Sequence, residues 1–146
     1  MKLPEYVTKT EVQRVCSELG ISDWTKKKKA EVSLDEAKKI FAHMPKKGLD
    51  VALDDFCAGL AVELEHGIAF KQYNVTNNHP VLTGMIVMAH FMESLDYYKL
   101  LDVAELQGDL VKAIAQGDMT KTTAKYKKLT HARIELSEAE AKRLGA

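Results

Sequence analysis

The chain's 146 residues match one ordinary domain, and its large apolar fraction excludes a disordered polymer. Its 21 basic and 21 acidic residues cancel, which argues against nucleic acid as the main partner, because phosphate binding needs a basic excess. The longest apolar stretch, residues 81–92, is too short to cross a bilayer.

The start, Met1 to Glu5, lacks the apolar run of an export leader, so a cytoplasmic location is the expectation, with no membrane partner. Cys16 and Cys57 stand alone and read as small reduced core residues. Thr8 opens a Thr-x-x-Glu capping box with Glu11. Val12, Val15, Cys16 and Leu19 follow at helical spacing, and Gly20 ends that first helix. Residues 21–32 read as a polar connection around Trp24. The run Lys26-Lys27-Lys28-Lys29 within it reads first as a solvated linker, with a binding patch as the alternative. Ser33 opens a second box with Glu36. Leu34, Ala37, Ile40, Phe41 and Met44 then form an apolar stripe, stopped by Pro45 and Gly48.

Asp50 is the expected cap of a third helix, which buries Leu53, Phe56, Cys57, Leu60 and Leu64 and leaves through a left-handed Gly67. A polar loop follows. Asn78 or His79 then caps a fourth helix, with Pro80 in its first turn and an end near Glu93. Ser94 is expected to cap a fifth helix, and Gly108 and Gly117 to bracket a short sixth. From about Thr120 the chain is polar, and Ser137-x-x-Glu140 resembles a third capping box. The pattern predicts an all-α protein, a compact bundle of about five to seven short helices. It is read as a single domain over residues 1–146, with a core at 50–107 and a polar C-terminal helical tail. The segment 120–146 is a candidate arm for packing on another chain, so a homo-oligomer or a larger protein complex is the expected assembly.

Two helices carry a paired Glu and His. Glu63-x-x-His66 lies on the third helix and His90-x-x-Glu93 on the fourth. Residues three apart share one side of a helix. The fourth helix is apolar nearly all round. Its expected buried stripe, Leu82, Met85, Ile86 and Ala89, would contain Glu93 with His90 on its shoulder. A buried carboxylate must be paired, protonated or metal-bound, although Glu93 at the helix end could reach solvent. Carboxylate plus imidazole suits iron, manganese or zinc, and Glu-x-x-His is the unit of helical di-metal sites. Glu63, His66, His90 and Glu93 are therefore the candidate metal ligands. Antiparallel neighbours joined by a short loop would leave the two pairs roughly 15 Å apart, so a second subunit or the loop is expected to complete the site. The bland alternatives are that His66 complements the helix C-terminus, Glu63 pairs with a lysine, and His90 and Glu93 bond each other or buried backbone. His79 reads as a cap or loop residue, and His43 and His131 as solvated.

The order Phe56-x-x-Gly59-x-x-x-Glu63-Leu64-Glu65-His66-Gly67, Asn74-Val75-Thr76, Thr83, Ala89-His90-x-x-Glu93, Asp96-Tyr97-Tyr98 resembles a family of small prokaryotic helical proteins that share a domain of unknown function. The likeness covers roughly residues 50–100 and the Leu19-Gly20-Ile21 stretch. Residues 26–48 look like an insertion, and the tail after Gly108 lies outside it. The resemblance implies that the Glu-Leu-Glu-His-Gly and His-x-x-Glu elements belong together, and it brings no function with it. The expected function is a helical metal-binding protein, redox or hydrolytic if it is an enzyme. The alternative is a non-catalytic interaction module or small subunit whose His/Glu network is structural.

Overall fold

The computed structural model describes residues 6–45 and 48–145, and the regular elements among them are all helical. They are α1 (Lys9–Leu19), α2 (Leu34–Phe41), α3 (Leu53–Ala69), α4 (Pro80–Glu93), α5 (Tyr97–Ala115) and α6 (Met119–Leu144), with short 3₁₀ turns at Trp24–Lys26 and Lys71–Tyr73. The all-α expectation is thus met. Met1 to Glu5, read above for a leader, lies outside the described residues. No helix among those described is long and apolar enough to cross a membrane. The chain divides into two compact units, Met1–Glu93 and Ser94–Ala146.

In the first unit the helix starts follow their caps. Thr8 Oγ1 accepts the Glu11 N–H at 3.2 Å, and the α1 exit is a left-handed Gly20 at φ 62°. Ser33 and Glu36 form a complete reciprocal box at the start of α2. Val12, Trp24, Ala37, Ile40, Phe56, Leu60, Leu64 and Val87 make a core sealed from solvent. Burial of such large side chains contributes about 1.5–3 kcal/mol each. Phe41 packs on Phe56 with ring centres 4.7 Å apart.

Two boundaries and one buried face in this unit differ from the sequence expectation. The cap of α3 is Ala52, which makes no side-chain cap bond, rather than Asp50. Gly67 does not end α3, which continues to Ala69. The buried face of α4 is Pro80, Thr83, Gly84, Val87, Met88 and Phe91, while Met85, Ile86, Ala89 and Glu93 are exposed. A helix apolar on every side carries no periodicity that selects a face. Gly84 selects it here: a Cβ at this position would lie 3.0 Å from Ile40 Cγ2 and 2.9 Å from Met44 Sδ, so α2 can approach only this side closely. Cys16 is buried, and Cys57 turns its Sγ to the Val32 carbonyl at 3.3 Å. Burial pushes both thiols up, and both stay free.

The second unit is an antiparallel pair. Asp96 at the start of α5 meets Arg143 at the end of α6 in a bidentate contact of 2.7 and 2.9 Å, and Asp109 meets Lys125 at 2.6 Å. The turn uses a left-handed Gly117 and an Asp118 cap that accepts the Lys121 N–H. Here α5 runs through Gly108 without a break, and Ser137-x-x-Glu140 lies inside α6. Asp96 rather than Ser94 precedes α5, and Ser94 Oγ instead accepts the Asp96 N–H.

Candidate functional site

The connection between α3 and α4 organises the candidate site. Phe70 N–H bonds the His66 carbonyl, and the chain then turns through Lys71–Tyr73 into an asparagine cluster. Asn74 Nδ2 donates to the Gly67 carbonyl at 3.0 Å and to Asn78 Oδ1 at 2.7 Å, while Asn74 Oδ1 accepts from Thr76 Oγ1 and the Asn78 N–H. Asn77 and Asn78 adopt positive φ, a conformation their short amide side chains tolerate. His79 Nδ1 accepts the Leu82 N–H, capping α4 as expected. Burial holds the His79 imidazole below its ordinary value, which preserves the neutral form that this acceptor role needs.

This frame sets Glu63 between two imidazoles. Its Oε1 lies 3.4 Å from His90 Nε2, and its Oε2 lies 4.0 Å from His66 Nδ1. The 15 Å separation expected from helix geometry is absent. Because α3 runs past Gly67, Glu63 sits about 9 Å before the helix end and His90 about 15 Å after the start of α4. The turn-rich segment 70–79 takes up the difference. Glu63 is 15% exposed and His90 26%, whereas His66 is about half exposed and stacks on Phe70 at 6.3 Å. Nδ1 of His90 is turned inward, away from solvent.

Glu93 stands apart on the exposed end of α4. Three of the four expected ligands therefore meet within one chain, and the fourth faces water. Among the described residues, no group of three or more His, Cys, Asp or Glu side chains is arranged to hold a metal ion.

Beside Glu63 opens a pocket of about 250 Å³ lined by Glu63, His66, Phe70, Tyr73, Thr83 and Ile86, with the asparagine cluster at its edge. Its walls are mostly apolar, and Phe70, Tyr73 and Val75 around it are strongly exposed. Phe70, Tyr73 and Asn78 were not among the expected site residues. Thr83 had one sequence signal: it is a hydroxyl in an apolar helix, seven residues from His90 and so on the same side. A carboxylate flanked by two imidazoles in the lining of such a pocket can accept hydrogen bonds from a cationic or protic ligand.

Fold and site together define a small helical protein with a pocket lined by a carboxylate between α3 and α4. The chain belongs to the family described as Protein of unknown function (DUF5661), whose model matches residues 12–107. That span takes in the pocket and also residues 26–48, which the resemblance sets aside as an insertion, and it ends inside α5, so the tail after Gly108 lies outside it. No curated protein and no solved structure matches the chain.

Proposed function

We propose that the α3–α4 pocket binds a small organic amine, with Glu63 as its counter-charge. The observation behind this reading is the placement of Glu63: a carboxylate in the lining of a pocket that Phe70, Tyr73, Val75 and Ile86 also line, beside His66, Thr83 and the asparagine cluster. An ammonium group gains a charged hydrogen bond to Glu63, and Phe70 and Tyr73 offer ring faces that favour a cation. His90 Nε2 approaches one carboxylate oxygen at 3.4 Å, and the more exposed His66 lies 4.0 Å from the other. The reading assigns a binding role and no reaction.

The test is NMR titration with a series of alkylamines and the matching neutral alcohols. Amines should shift signals of His66, Thr83 and Ile86, with dissociation constants of about 1 mM for such small ligands. Glu63→Gln should weaken amine binding about ten-fold, equivalent to roughly 1.4 kcal/mol, and leave alcohols unaffected. Equal responses to amines and alcohols would overturn the proposal.

A divalent iron, manganese or zinc ion is the second reading of the same residues. It is favoured by two imidazoles from different helices that face one carboxylate. It requires a rotation that draws His66 inward, and it uses Glu63, His66 and His90 without Glu93. Stoichiometric metal that survives dialysis and is lost in His90→Ala would select it over the amine.

A further inference from the structure

On the other side of the Gly67, Asn74 and Asn78 wall lies a larger pocket of about 600 Å³. Three separate segments supply its lysines: Lys9 from α1, Lys26, Lys27 and Lys28 from the turn after α1, and Lys71 from the turn after α3. No Asp or Glu among the described residues lines it. In a chain whose charges cancel, five lysines around one concavity are a strong local asymmetry.

The lysines fall into two sets. Lys27 is fixed: its ammonium bonds Glu36 Oε2 at 3.2 Å and the Glu31 carbonyl, and it lies 5.6 Å from the centre of the Trp24 ring. Lys26 pairs with Asp23 at 3.1 Å. Lys9, Lys28 and Lys71 have no acidic partner among the described residues, which leaves their ammonium donors available. Asn74 bonds the Gly67 carbonyl and Asn78 Oδ1, and Asn77 bonds the Val7 carbonyl, so these amides hold the pocket wall in place.

We infer that this pocket binds a small multivalent phosphate compound, an oligophosphate or a phosphate ester with more than one negative charge. Three available ammonium groups on the lining of one pocket can meet several adjacent phosphate oxygens, each acting as a point charge. A lysine set gathered into one pocket suits a compact anion. A nucleic acid backbone would need an extended basic track, and the neutral chain shows no such excess. The inference stands independently of the amine pocket, since it uses none of Glu63, His66 or His90.

Calorimetric titration of the full chain with inorganic tripolyphosphate, inorganic phosphate and a single-stranded oligonucleotide tests it. Tripolyphosphate should bind at least about ten-fold more tightly than phosphate, and its affinity should fall as salt rises. A Lys28→Ala/Lys71→Ala double variant should lose about ten-fold or more, with its unliganded melting temperature unchanged. Lys38→Ala, on an exposed position of α2 outside the pocket, should bind as the parent does. Absence of tripolyphosphate binding at low ionic strength would overturn the inference, as would equal binding by the double variant. Tighter binding of the oligonucleotide, lost in the same variant, would replace the small anion with a nucleic acid.

Discussion

Glu36 holds more of the first unit together than a helix cap requires. Besides its box with Ser33, its carboxylate accepts from the Ser22 hydroxyl and N–H, from Trp24 Nε1 at 3.3 Å and from Lys27 at 3.2 Å. Burial pushes this carboxyl up, but the bonds from Ser22, Ser33 and Lys27 outweigh it and hold the group at about 2. With an ordinary value of 4.5 in the unfolded chain, the contribution is complete above pH 4.5 and is lost as pH falls towards 2. Its size is on the order of 3 kcal/mol. Glu36→Gln should therefore destabilise the protein by roughly 2–3 kcal/mol at pH 7, and the difference from the parent should shrink as pH falls from 4.5 to 2, both read from urea unfolding. A gap independent of pH would count against the ionic account. The capping box was legible from Ser33-x-x-Glu36, because both partners lie within one turn. Ser22, Trp24 and Lys27 were not, because contacts nine to fourteen residues away leave no periodic trace. For the same reason the lysine run read first as a solvated linker, although Lys27 is the half-buried partner of Glu36.

At the scale of elements, two helical glycines make opposite predictions. A Cβ on Gly67 would lie 2.0 Å from Asn78 Oδ1 and 3.0 Å from Asn74 Nδ2, the two atoms that bond each other across the pocket wall. Gly67→Ala gains about 1 kcal/mol of helix propensity yet must break or displace that bond, so a net loss of about 1–3 kcal/mol is expected. It should also loosen the 74–79 segment, read as faster amide exchange there. A Cβ on Gly108 would meet nothing within 4 Å, so Gly108→Ala in the middle of α5 should stabilise by about 0.5–1 kcal/mol. The sequence pattern treated both glycines as helix boundaries. A glycine that ends a helix and one that admits a neighbour look alike in a single chain, and only the partner atoms distinguish them. The candidate site was legible to a similar depth. Glu63, His66 and His90 stood out as polar groups on apolar helices. The face of α4 did not, since its apolar residues surround the axis, and Glu93 was assigned to a stripe that in fact faces solvent.

For the whole molecule, the division at Glu93 and Ser94 gives each unit its own reporter. Trp24, the single tryptophan, is fully buried in the first unit, so its fluorescence follows that unit. Far-ultraviolet circular dichroism follows both, and α5 and α6 hold nearly half of the helical residues. The second unit buries little apolar surface of its own, chiefly Ala113, Leu129 and Ala132, which makes its polar clamp important. Asp96 is 8% exposed in that clamp, and Arg143 is its bidentate partner. Removing the guanidinium strands a buried carboxylate, at a cost of about 3 kcal/mol or more. Arg143→Ala should therefore shift part of the circular dichroism signal to lower denaturant while the Trp24 fluorescence midpoint stays in place. Adding Asp96→Asn should restore part of the loss, because the neutral amide no longer needs a cation. If both signals move together in Arg143→Ala, the units unfold as one cooperative block and the boundary at Ser94 is not an energetic one.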